Sequence, residues 1–258
     1  MGIYPASKAS VEGEAPSGFA SGGGDASPFN CLMKNGIIVT IDGPSAAGKS
    51  SVARLLAKRL GFLYLDSGAL YRAIGWKALK DGISIVDKKG IERICKKIRI
   101  DVKKMGDEFR IMADHMDITE EIRGPEVSRM ASEISAYPAV RKGLLKLQQD
   151  IGRKGNVVIE GRDTGTVVFP EADIKFYLDA DIKVRGERRW KELRSGGFDV
   201  DLNLTIREIE ERDRKDQTRT IAPLMVPSDA IFINNTEKTL SDVADLMLKE
   251  IKNRTDYP

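Results

Sequence analysis

The sequence has 258 residues, with 42 Lys+Arg against 39 Asp+Glu, 24 Gly, 2 Cys and 1 His. It is 41% hydrophobic, enough for one good-sized core, and its longest apolar runs, such as Ile37-Ile38-Val39, fall far short of the ~18 residues of a membrane helix. Disorder throughout and a membrane partner are therefore both excluded, and a formal charge of +3 gives no electrostatic footprint for nucleic acid.

Cys31 and Cys95 cannot build a disulfide framework or a Cys-rich metal site, which suits a reducing, cytoplasmic location. The single histidine, His115, lies in the polar stretch Ala113–Asp117 with no nucleophile motif beside it. Because His works as part of a constellation, the chemistry is expected to run without imidazole.

Residues 1–32 are expected to form a disordered tail, since 19 of the first 30 are Gly, Ser, Ala or Pro and bury too little to offset their ordering entropy. The stretch has no basic start followed by an apolar run, so it is a poor signal peptide. Met33, just before the first strand, is a candidate alternative start, which intact mass of the native protein would test. From residue 33 to 258 one α/β domain is expected. Ile37–Ile41 reads as a strand, Ser50–Leu60 as a helix, Phe62–Leu65 as a strand and Ala69–Leu79 as a helix. Residues 83–123 break the alternation, with short antiparallel strands at Ile98–Val102, Phe109–Met112 and Asp117–Thr119. Helices resume at Pro125–Ala136 and Ala139–Gly152; Asn156–Glu160, Ile174–Asp179 and Ala230–Ile233 are buried-type strands, the last two followed by helices. Short apolar strands separated by helices predict a parallel sheet covered on both faces, with 83–123 inserted into it.

Gly43-Pro44-Ser45-Ala46-Ala47-Gly48-Lys49-Ser50 fits G-x-x-x-x-G-K-[ST] in full, between a strand and a helix. Glycines let successive N–H groups turn inward around phosphates, and the helix N-terminus adds partial positive charge. Lys49 can reach the β and γ phosphates, and Ser50 can offer its hydroxyl to Mg²⁺. This pattern implies nucleoside triphosphate binding and no particular reaction. A guanine-reading Asn-Lys-x-Asp is absent, and motor or transport ATPases would be larger, which leaves a small kinase.

Further charges stand where a cleft would need them. Arg72 follows the second strand in Leu65–Arg72, and Arg162 and Asp163 follow the strand ending at Glu160, both at the sheet's carboxyl edge, where open α/β sheets bind ligands. On the helix Asn203–Asp216, running toward Arg219, Leu202, Ile206 and Ile209 make an apolar stripe that Arg212, Asp216 and Arg219 continue. Arg185, Arg188 and Arg189 share one helix face, and Ser195-Gly196-Gly197 beyond them suits the hinge of a lid at about 185–200. A surface salt-bridge network with nearby glutamates is the plainer alternative for these arginines. A stripe for RNA is missing, since residues 185–219 hold ten Lys+Arg and nine Asp+Glu. Arginines around a phosphate-loop cleft suit a second phosphate-bearing substrate. A kinase for UMP or a small metabolite such as shikimate, and a nucleotide-binding module without turnover, remain competing readings.

Gly43–Ser51, Leu65–Arg72, GRDTGTVVFP at Gly161–Pro170 and RDRKDQTRTIAPL at Arg212–Leu224 together resemble the bacterial cytidylate kinases, over residues 35–251. The phosphate loop is widely shared; the other segments are much narrower in occurrence. The resemblance implies the P-loop nucleoside monophosphate (NMP) kinase fold: a five-stranded parallel sheet with helices on both faces, an NMP-binding insertion and a lid. It implies transfer of phosphate from ATP to CMP and dCMP by a monomer, with Mg²⁺ held at Ser50 and ATP at Gly43, Pro44, Ser45, Ala46, Ala47, Gly48, Lys49, Ser50 and Ser51. Ser67, Arg141, Asp163 and Arg219 would read cytosine; Arg72 and Arg162, with Arg212, would hold the monophosphate; Asp216 would meet the ribose. Lys49, Arg185, Arg188 and Arg189 would serve the transferring phosphoryl. The tail is extra to the family pattern, and no strand-end aspartate for Mg²⁺ is identified, so ligation beyond Ser50 stays open.

Overall fold

The computed structural model describes residues 36–105, 108–255 and 257; the disordered tail expected over 1–32 lies outside the described residues. The chain opens with β1 (Ile38–Asp42), α1 (Lys49–Leu60), β2 (Leu63–Asp66) and α2 (Ser67–Lys80). An insertion follows: α3 (Lys88–Lys97), then β3 (Ile100–Met105), β4 (Glu108–Ala113) and β5 (Met116–Asp117) as an antiparallel sheet in that order. The helices α4 (Pro125–Ile134) and α5 (Pro138–Gly152) lead to β6 (Val157–Gly161) and β7 (Ile174–Asp179). The chain closes with α6 (Ile182–Ser195), α7 (Leu202–Thr218), β8 (Ile231–Asn234) and α8 (Leu240–Arg254).

The main sheet has five parallel strands in the order β2-β6-β1-β7-β8. On one face Val52 and Leu56 of α1 and Val243, Met247 and Ile251 of α8 pack with Val39, Phe176 and Leu178. On the other, Leu70 and Ile74 of α2, Ile91 and Ile94 of α3, and Val140 and Leu144 of α5 cover Leu65, Val157 and Ile159. Both sheet faces are thus dry, as unbroken apolar strands require. Ile41, Leu56 and Phe176 are fully buried, worth roughly 1.5–3 kcal/mol each.

The insertion begins with a helix, α3, where the sequence reading expected strands alone. Its lysines and Gly90 obscure the period, but Asp87 caps it through the Gly90 N–H at 2.9 Å, and Ile91 and Ile94 reach the main core. A separate apolar cluster, in which Ala69 and Ala73 of α2 meet Ile111, Ile118 and Ile122, anchors the small sheet.

Register brings the strand ends together. Asp42 pairs with Gly161 on one side and Tyr177 on the other, and Asp66 lies beside Glu160. From β1 the chain moves to one side, and from β6 it crosses to the other, so the carboxyl edge at β1 is a topological switch point.

Candidate active site

The phosphate loop starts where β1 ends. Gly43 lies so close to the next strand that a Cβ would sit 2.0 Å from the Leu178 carbonyl oxygen, and Gly48 takes φ 90° to enter α1. No side chain caps α1, so its first-turn N–H groups are left for an anion. Lys49 is buried and donates to the Pro44 carbonyl at 2.6 Å. Burial, helped by the nearby Arg162 charge, brings its pKa down to about 7. Ser50 Oγ donates to Glu160 at 2.6 Å. Burial and the neighbouring Asp66 raise the Glu160 pKa against the pull of Lys49. Ser51 is exposed on α1.

Across the edge, Asp66 caps α2 through the Ala69 N–H at 2.9 Å and pairs with Arg72 at 2.7 Å. Burial works to raise the Asp66 pKa, but Arg72 and that N–H outweigh it and hold it below the ordinary range. Arg162 Nε pairs with Asp216 at 2.9 Å, and its Nη2 donates to Ser45 Oγ at 2.9 Å. Asp163 lies between two guanidiniums: it pairs directly with Arg141 and lies 3.6 Å from Arg219. All three side chains are only 9% exposed. Burial lifts the Asp163 pKa, and the two arginines oppose it. Ser67 is buried beside this set, its Oγ against Gly161. Asp216 also pairs with Arg219 at 3.3 Å; despite burial, Arg162 and Arg212 lead the charges that keep its pKa low.

Arg212 is the exception among these arginines. Its Nε is buried without a hydrogen-bond partner, and it makes no ion pair among the described residues. Burial, with Arg162 adding like charge, lowers its pKa to about 10. Asp216 attracts Arg212, but Arg162, Arg72 and Arg189 add like charge, and a cation so placed gains from an anion that joins it.

The three arginines of α6 singled out by the sequence, Arg185, Arg188 and Arg189, differ from one another. Arg185 is buried, pairs with Asp213 and donates to the Ser45 carbonyl at 3.0 Å and the Ala180 carbonyl at 2.9 Å. Arg188 donates twice to Asn235, each at 3.1 Å, and Asn235 holds the Ala47 carbonyl at 2.8 Å. Arg189 pairs with the exposed Glu192 on its own helix at 2.8 Å. The phosphate loop, Ser67, Arg72, Arg141, Arg162, Asp163, Arg212, Asp216 and Arg219 thus share one edge, while Arg189 points to its own helix surface.

Three carboxylates at this edge escaped the sequence reading. Glu160 meets Ser50, Asp213 meets Ser45 and Arg185, and Asp42 accepts the Thr164 N–H at 2.9 Å, the Thr164 hydroxyl at 2.8 Å and the Gly165 N–H at 2.7 Å. Asp42 thereby fixes the wide π-helical turn Thr164–Val168 that follows Asp163. The available signal for Glu160 and Asp42 was their place at the ends of apolar strands.

The sequence model of the cytidylate kinase family matches residues 39–253. The chain belongs to the cytidylate kinase family. It is 43% identical to the cytidylate kinase of Geobacter sp. (strain M21) over 226 residues, which cover 88% of this chain and 97% of that protein. The cytidylate kinase of Caldicellulosiruptor bescii is 43% identical over 221 residues, 84% of this chain and 98% of that one. The match thus takes in both halves of the edge just described, from the phosphate loop to the arginines of α7.

Proposed function

We propose that this chain transfers the γ-phosphoryl group of ATP to the phosphate of CMP or dCMP, giving ADP and CDP or dCDP. The observation that carries the reading is Asp163 flanked by Arg141 and Arg219, with Ser67 against Gly161 two residues earlier. Cytosine presents an amino donor at N4 and acceptors at N3 and O2. A carboxylate accepts the first, and guanidiniums donate to the other two. Uracil reverses the pattern at positions 3 and 4, leaving Asp163 against an oxygen; each buried polar group left unpaired costs about 1–3 kcal/mol.

A phosphate oxygen of CMP attacks the γ phosphorus in line as the bond to the β,γ-bridging oxygen breaks, and ADP leaves. The attacking oxygen is already largely ionised, so no general base is needed. Positioning and charge neutralisation do the work. Lys49 and the first-turn N–H groups of α1 face the triphosphate. Arg72, Arg162 and Arg212 hold the acceptor phosphate, and Asp216 takes the ribose. Arg188, tied to the Ala47 carbonyl through Asn235, stands on the donor side, and Arg189 would have to leave Glu192 to join it.

The donors for Mg²⁺ are hard oxygens, the Ser50 hydroxyl and the Glu160 carboxylate, 2.6 Å apart. Among the described residues no group of three His, Cys, Asp or Glu could hold a metal. That suits an ion kept by one or two side chains, water and nucleotide phosphates. Bound there, Mg²⁺ would neutralise developing phosphate charge.

The reading takes the protein as a monomer acting on small molecules. Cys95 is a free thiol, in keeping with a cytoplasmic setting. No helix among the described residues is long and apolar enough to cross a membrane.

A coupled assay with CMP, dCMP, UMP, AMP and shikimate tests the reading. CMP and dCMP should be fastest, and UMP or shikimate outrunning them would overturn it. Arg212→Met separates function from stability. Removing this cation relieves its repulsion from Arg162 but costs its attraction to Asp216, so Tm should move little, while kcat/KM for CMP drops about 10–100-fold. Thermal melts and CMP kinetics on the same preparation check both.

A further inference from the structure

Building on the ATP-to-CMP reading, we propose that Asp213 is a positioning residue of the transfer site, fixing the phosphate loop and Arg185 to each other. Asp213 is buried, 6% exposed, and none of the substrate contacts above uses it. A carboxylate removed from water persists only with strong partners. Asp213 has two, from distant parts of the chain: the Ser45 N–H at 2.8 Å and the Arg185 guanidinium. Arg185 closes the ring by donating to the Ser45 carbonyl at 3.0 Å. Ser45 is thus held by its N–H, its carbonyl and, through Arg162, its hydroxyl.

The next residue shows what this grip does. Ala46 has φ 58°, a left-handed conformation that costs a residue with a side chain and persists only where its surroundings impose it. The hydrogen bonds that impose it lie on both sides, at Ser45 and at the Ala47 carbonyl, which Asn235 holds at 2.8 Å. With Ser45's N–H drawn out to Asp213, the N–H groups from Ala46 onward are left to line the phosphate cradle. Arg185, with bonds to Ala180, Ser45 and Asp213, then acts on the phosphoryl group through the loop that it holds.

Asp213→Asn keeps the shape and one acceptor but loses the charge that pairs with Arg185. In the full chain it should lower kcat/KM for ATP about 10–100-fold, since a displacement near 1 Å at a reacting centre can cost about a hundredfold. The calorimetric Kd for CMP should stay within about twofold, and Asp213→Glu should recover part of the loss. A folded Asp213→Asn protein with unchanged kcat and KM, or with equal losses for ATP and CMP, would overturn the proposal, whatever its Tm.

If the variant does not fold, amide exchange in the wild-type protein decides. Ser45's amide should be protected without nucleotide, and the amides of Ala46 to Ser50 should gain protection only when a non-hydrolysable ATP analogue binds. A Ser45 amide protected only by the analogue would contradict the assignment. Wild-type protein inactive on CMP would sink the substrate reading, and the exchange result would still settle Asp213.

Discussion

Lys49→Ala should slow turnover by on the order of 10²–10³-fold while leaving CMP affinity within about twofold, the usual scale for removing one preorganised charge at a transferring group. Two effects add. The variant loses the cation that meets the β and γ phosphates. It also leaves the Pro44 carbonyl without the donor now 2.6 Å away, which loosens the loop. Steady-state kinetics with CMP calorimetry check the split, and equal weakening of both nucleotides would contradict it.

The same residue gives a pH signature with a definite sign. Without nucleotide, burial depresses the Lys49 pKa to about 7, so above that pH part of the population is neutral. A bound triphosphate favours the ammonium and raises the pKa again. Between the two values, binding must take up a proton, and ATP affinity must fall as pH rises above about 7. Calorimetry of ATP-analogue binding in buffers of different ionisation enthalpy measures the uptake directly. Zero or negative uptake at pH 7.5–8 would refute it.

Asp163→Ala should be the most selective change, lowering kcat/KM for CMP about 10²–10³-fold with the KM for ATP within about threefold. The pyrimidine N4 loses its acceptor, and Arg141 and Arg219 lose the carboxylate that separates their charges. Breaking a buried pair by removing one partner costs about 3–5 kcal/mol, so Tm should fall as well. Asp163→Asn is the cleaner probe of base reading. Its amide presents both an acceptor and a donor, so the preference for CMP over UMP should shrink about tenfold or more. Losing ATP and CMP affinity equally would argue against a base-reading role.

The two halves of the site differ in how far the sequence discloses them. The presence of the phosphate loop is legible locally, from spacing, glycines and the Lys49-Ser50 pair, although Asp213, Arg185, Arg162 and Asn235 hold it from far along the chain. The stripe on α7 is nearly as legible, because helical periodicity alone puts Ile209 and Asp216 on the buried side. Asp213, four residues on from Ile209, shares that buried side, yet periodicity does not disclose its partner, since Ser45 lies 168 residues away. Asp42 reaches Thr164 across 122 residues, and Glu160 reaches Ser50 across 110. Helix α3 was obscured for a related reason: only Ile91 and Ile94, set among lysines, carry its burial, and the surface that buries them comes from α2 and α5.

Composition, spacing and periodicity therefore determined the αβ alternation, the phosphate-loop motif and a set of arginines at one edge hidden within a near-balance of 42 and 39 charges. Only the tertiary structure decided which of those charges are already paired. Arg185 holds the loop, Arg162 and Asp216 hold each other, and Arg212 Nε is left without a hydrogen-bond partner. The physical reason is that a buried charge takes its energy from whichever opposite charge the fold brings within hydrogen-bond reach, and parallel strand register, set by the packing of both sheet faces, makes that choice.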